Sequence, residues 1–120
     1  MPAKSIRTDE ERLRDILDAC ALVSKYIQKI LDEEETPNLE AYQFTVLHQL
    51  MIIGEAVGRV SEETKLRNPQ VTWNAISNFR NVVVHDYFGV DWNLAWVTAT
   101  DRVPELANEV EAILQRKFES

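Results

Sequence analysis

The chain of 120 residues is poor in several residue types, and each shortage narrows what it can be. Cys20 is its one cysteine, which rules out an internal disulfide and a cysteine-based metal cluster and fits a reducing cytoplasm. Three glycines and four prolines are too few for the many turns of an all-β chain and favour long helices. No apolar run approaches a membrane span, so no membrane partner is expected. The start, Met1-Pro2-Ala3-Lys4-Ser5, lacks the apolar centre of a secretory signal. Positive charge is also scarce: 13 Lys and Arg against 20 Asp and Glu leave a net charge of −7. Tight, sequence-independent binding to long duplexes needs a basic face, so DNA is not an expected partner. A local cluster such as Arg59, Arg67 and Arg80 can still attract phosphate, because net charge does not describe a single cleft. With His48 and His85 far apart and one Cys, no metal-ligand set is evident, and neither a metal nor a cofactor is expected.

What is present is enough apolar material, 45% of residues, for one core and one domain. Residues 1–7 read as a flexible arm and 8–120 as a single helical domain. Thr8-Asp9-Glu10-Glu11 has the form of a capping box, a hydroxyl followed three residues later by a Glu. Leu13, Ile16, Leu17, Cys20, Val23, Ile27, Ile30 and Leu31 then recur at steps of three and four, one apolar stripe along a first helix. Cys20 falls in that stripe as a small buried residue, and Tyr26 flanks it. The acidic run at 32–35 reads as a solvated helix end and loop.

After Thr36-Pro37, Asn38 can cap a second helix carrying Phe44, Leu47, Leu50, Met51, Gly54, Val57 and Val60. Val46, Ile52, Ile53 and Ala56 are apolar on its other sides, which places this helix centrally or in an oligomer interface. Gly54 and Gly58 cost helix propensity, and close backbone approach would explain both. Glu55 reads either as a carboxylate reaching the edge, or as a buried partner of Arg80 or a supporting residue that orients the site, and His48 reads as solvated or as a satisfied histidine. Ser61 to Pro69 reads as a polar connection with a fraying helix end. Thr72 is positioned to cap a third helix with Trp73 in its first turn and Ala75, Ile76, Phe79, Val82 and Val83 facing inward. Asp91 can cap a fourth helix rich in Trp. Pro104 suits the first turn of a last helix capped near Thr100 or Asp101, or else a kink.

The third helix ends in Arg80-Asn81-Val82-Val83-Val84-His85-Asp86-Tyr87. In a continuous helix Arg80 and His85 lie roughly 140° apart; the reach of Arg and an unwound last turn would bring both to one cleft. A near-neutral imidazole can take a proton from a ribose 2′-hydroxyl, and a guanidinium can hold the charge that builds on phosphorus, so these residues can cleave a phosphodiester without a metal. Asn81 can bond a phosphate or its own backbone. The same residues also make sense as a C-terminal helix cap, Arg80 and His85 at the carbonyl end with Tyr87 as a core anchor.

Arg, four residues, His, any residue and Tyr resembles the signature of the HEPN ribonuclease superfamily, and more narrowly the HepT toxins of HepT–MntA toxin–antitoxin pairs. Met51-Ile52-Ile53-Gly54-Glu55-Ala56, Trp73 and Tyr87-Phe88-Gly89-Val90-Asp91 resemble the same family, from about Leu13 to Leu114. The resemblance implies that Arg80 and His85 are ribonuclease residues. It also implies that Tyr87 accepts AMP from an MntA-like nucleotidyltransferase antitoxin, which silences the toxin, and that paired motifs face a cleft across a homodimer. Many members carry a further basic residue inside the motif where this chain has Val82 or Val83, a departure that would weaken RNA affinity.

The expectation is an all-α antiparallel bundle of four long helices, with room for a fifth short one, acting as a cytoplasmic, metal-independent toxin ribonuclease and homodimer. The alternative is a non-catalytic helical module that docks a nucleotidyltransferase and presents a ligand, with Arg80 and His85 as anion contacts.

Overall fold

The computed structural model describes residues 8–32, 38–81 and 92–116. The arm at 1–7, the acidic loop from 33 with Thr36-Pro37, and the Asp91 cap lie outside the described residues. Helix α1 spans Asp9–Asp32. Its start is the expected capping box: the Thr8 hydroxyl accepts from the Glu11 amide at 3.1 Å, and the Glu11 carboxylate accepts from the Thr8 amide at 2.9 Å. Leu13, Ile16, Ala19, Cys20, Val23 and Ile27 are buried, so the stripe forms as read. It ends sooner than expected: Leu31 is 61% exposed.

Helix α2, Leu39–Arg59, runs antiparallel to α1. Ser61, just past its end, bonds Asp9 at the start of α1, while Tyr42 near its start packs on Tyr26 with ring centroids 5.6 Å apart. Asn38 occupies the N-cap position, but its side chain makes no capping bond. Val46, Leu47, Leu50, Ile53, Gly54 and Val57 are buried. The helix is apolar on several sides because it packs against both α1 and a fourth helix, described below. Phe44, expected in the inward stripe, is half exposed, and Val46 is buried in its place. His48 is exposed, as expected.

The connection after α2 is not a fraying end but a capped helix, α3, Glu62–Arg67. The Ser61 hydroxyl accepts from the Thr64 amide at 3.2 Å. Asp9 then ties α3 to α1, accepting from the Ser61 amide at 3.0 Å and from the Ser61 and Thr64 hydroxyls at 2.5 Å each. Buried Asn68 is satisfied on every side: its amide donates to Thr64, its carbonyl accepts from the Trp73 indole at 3.0 Å, and its side-chain oxygen accepts from Arg116.

Helix α4, Trp73–Ser77, begins where the sequence placed it, with Thr72 at the N-cap position. The Thr72 hydroxyl makes no cap and instead accepts from Arg102 at 2.9 Å. The third helix is not continuous into the motif. A turn at Asn78, with tight bonds from the Asn78 amide to Ala75 and from the Asn81 amide to Asn78, separates α4 from the helical residues 79–81. Ile76 and Phe79 are buried, whereas Ala75 is exposed.

Helix α5, Trp92–Val97, continues through a π turn, Thr98–Arg102, into α6, Val103–Leu114. The expected cap at Thr100 or Asp101 does not form, because the helix does not stop there. Pro104 lacks an N–H and its ring crowds the carbonyl four residues back, and the wider π turn just before it takes up that misfit. The Val103 amide bonds Thr98, five residues back. Val103, Leu106, Val110, Ile113 and Leu114 are buried against α1. The architecture is the all-α bundle that the apolar stripes predict, and no strand occurs among the described residues.

Candidate functional site

Gly54 sets the site's geometry. A Cβ placed there would lie 3.1 Å from the Arg80 amide nitrogen and 3.1 Å from the Ser77 carbonyl oxygen. The missing side chain lets α2 abut the break after α4, backbone against backbone, which is the close approach expected of this glycine. Gly58 differs: none of the described residues comes within 4 Å of the corresponding position.

This crossing leaves a cleft of about 530 Å³ between the C-terminal half of α2 and the break in the third helix. Gly54, Glu55, Gly58 and Arg59 line it from α2, and Ser77, Asn78, Arg80 and Asn81 from the other side. Arg80 and Asn81 are exposed, so their polar groups are available to a ligand. Glu55 is exposed as well: its carboxylate reaches the edge of the cleft and is not a buried partner of Arg80. His85 and Tyr87, with Val82, Val83 and Asp86, lie outside the described residues.

Of the three arginines that could form a phosphate cluster, the fold brings two together. Arg59 and Arg80 share the cleft, whereas Arg67 pairs with Glu63 at 3.3 Å on α3. A second groove of about 430 Å³ between α1 and α2 adjoins the cleft, and Glu55 and Arg59 line both. Ser77 and Asn78 were not legible as cleft residues, since nothing in the sequence marks the helix break that exposes them.

The clearly shifted titratable groups sit elsewhere. Burial pushes the Cys20 thiol up to about 12, so it stays protonated and takes the packing role expected of it. Burial raises the Glu109 carboxyl, with Arg102 opposing and Glu105 adding to the rise. For Asp9, burial acts upward, but the Ser61 and Thr64 hydrogen bonds and the Arg12 charge outweigh it and hold the carboxyl below its ordinary value. Among the described residues no group of three His, Cys, Asp or Glu converges as a metal site would require. No helix among them is long and apolar enough to cross a membrane.

A helical bundle with an arginine at a polar cleft defines a broad class, and comparison with known proteins narrows it. Residues 16–113 match the model of the family described as "Ribonuclease HepT-like". The chain is 30% identical over 107 residues to "Probable ribonuclease HepT" of Thermococcus cleftensis, covering 89% of this chain and 96% of that protein. It is 33% identical to "Putative RNase MJ1380" of Methanocaldococcus jannaschii, covering 84% and 92%. It is 31% identical to "Putative RNase TTE0752" of Caldanaerobacter subterraneus subsp. tengcongensis, covering 93% and 99%. No solved structure matches it. The chain belongs to the HepT-like ribonuclease family.

Proposed function

We propose that the protein is a HepT-type toxin that cleaves RNA by metal-independent attack of a ribose 2′-hydroxyl on the adjacent phosphorus. His85 takes the hydroxyl proton as general base. The 2′-oxygen forms its bond to phosphorus as the bond to the 5′-oxygen breaks, and the departing oxygen takes up a proton. The products are a 2′,3′-cyclic phosphate and a 5′-hydroxyl. Arg80 holds the non-bridging oxygens as charge accumulates, and Asn81 adds a contact to the substrate. Tyr87 is the residue to which a partner MntA-like nucleotidyltransferase adds AMP, placing a charged, bulky group against RNA entry. The active form is a homodimer, working in the cytoplasm.

The observation that carries this reading is an exposed Arg80 on an open polar cleft in a chain of the HepT-like ribonuclease family, followed by His85 and Tyr87 at the motif spacing. The test is RNA cleavage in excess chelator by the wild type, His85→Ala and Arg80→Ala. Loss of the base is expected to cost roughly 10²–10⁴-fold, and loss of Arg80 roughly 10²–10³-fold, with folding unchanged. Equal cleavage by all three proteins would mean a contaminant. Incubation with the partner enzyme and ATP should place the added AMP mass on the peptide bearing Tyr87, and a modified peptide elsewhere removes that assignment.

A further inference from the structure

Several arginines of this acidic chain are engaged by their neighbours. Arg14 pairs with Glu10, Arg67 with Glu63 and Arg102 with Glu105. Arg116 donates to Asn68 and to the Ala112 carbonyl. Arg59 and Arg80 are different: among the described residues neither is joined to a carboxylate, both are exposed, and both line the same cleft. Two uncommitted guanidiniums on one opening of a molecule with net charge −7 are a local reversal of the overall field.

Gly58 sits beside Arg59 and also lines that cleft. Gly58 lies in the last turn of α2, one residue before its end at Arg59. Packing explains Gly54, where two backbone atoms would meet a Cβ, whereas at Gly58 none of the described residues comes within 4 Å of that position. Without a side chain, Gly58 leaves open space in the cleft beside Arg59. Arg59 stands where the cleft meets the groove between α1 and α2, so a strand leaving Arg80 along α2 reaches it next. Glu55 shares that position one helical turn earlier.

We propose that Arg59 forms a second phosphate-holding step beside Arg80, with the space left at Gly58 admitting the strand, and that it seats the nucleotide adjoining the cut in single-stranded RNA. The assignment rests on the ribonuclease reading above. Arg59 is a positioning residue in it, since it holds the strand and does not touch the reacting bond.

The experiment measures binding of a short single-stranded oligoribonucleotide whose 2′-O-methyl groups remove the nucleophile, across a series of salt concentrations. Removing one phosphate-neutralising charge should flatten the plot of log affinity against log salt by about 0.7. Arg59→Ala is expected to show that change with several-fold weaker binding, and with cleavable RNA its loss should fall on KM more than on kcat. Arg59→Lys should restore most of the slope. Arg67→Ala, outside the cleft, should leave the slope unchanged. Gly58→Gln should weaken binding several-fold without lowering Tm, because its side chain takes up space in the cleft and glutamine is the better helix former. A wild-type slope for Arg59→Ala, or an equal flattening by Arg67→Ala, overturns this step even when cleavage remains dependent on Arg80. Intact binding by a well-folded Gly58→Gln does the same for the glycine. A wild type that neither binds nor cuts RNA overturns both this step and the ribonuclease reading.

Discussion

Asp9 shows how much one side chain can hold in a small domain. Its two carboxylate oxygens accept three hydrogen bonds from Ser61 and Thr64, joining the first turn of α1 to the first turn of α3. Hydrogen bonds to a charged group are stronger than neutral ones, so Asp9→Asn should destabilise the fold by about 1–2 kcal/mol at neutral pH, measured by denaturant unfolding. The effect has a direction in pH. Because the folded carboxyl titrates below its ordinary value of 3.8, its contribution is complete above that value and is lost as pH falls through and below it. The stability gap between wild type and Asp9→Asn should therefore shrink in acid. A gap that stays constant down to strongly acidic pH would show that the carboxylate charge does not matter. In the sequence Asp9 was legible only as a member of a capping box. Its bonds to residues 52 and 55 positions away depend on α2 returning the chain to the same end of the bundle.

Among the elements, the crossing of α2 with the break after α4 decides where Arg80 stands. Gly54→Ala would put a methyl group 3.1 Å from two backbone atoms that cannot rotate away, so the elements must separate. The expected cost is about 1–3 kcal/mol, seen as a lower Tm, together with slower RNA cleavage as Arg80 shifts. A Tm equal to or above that of the wild type would refute this account of Gly54. The other irregular element, the π turn before Pro104, has its cause in the chain, but its form was not readable there. A proline at this place is compatible with a cap, a kink or a widened turn, and the choice among them is made by burial. Thr98, Ala99 and Val103 are all packed inside, which a stop and restart of the helix would undo.

For the whole molecule, the net charge of −7 and the family's chemistry are reconciled by local placement. Carboxylates take up Arg14, Arg67 and Arg102, leaving Arg59 and Arg80 for the cleft. Apolar surface also remains on the outside: Leu94 and Val97 on α5 are 47% and 52% exposed. The proposed homodimer would cover such a surface. Replacing both residues with Asp should shift the sedimentation coefficient from dimer to monomer and reduce cleavage in parallel. A dimer unaffected by the double variant places the interface elsewhere.

From the sequence alone come the all-α class, the capping box of α1, the buried stripes with Cys20 inside one of them, and the tight approach at Gly54. Each of these depends on residue spacing or on a backbone preference, and so is written locally. Tertiary structure decided the rest: the capped α3, the break at Asn78, the exposure of Glu55, Phe44 and Leu31, and the sharing of one cleft by Arg59 and Arg80. Those features depend on which helix lies against which, and periodicity along one helix carries no information about its neighbour's position.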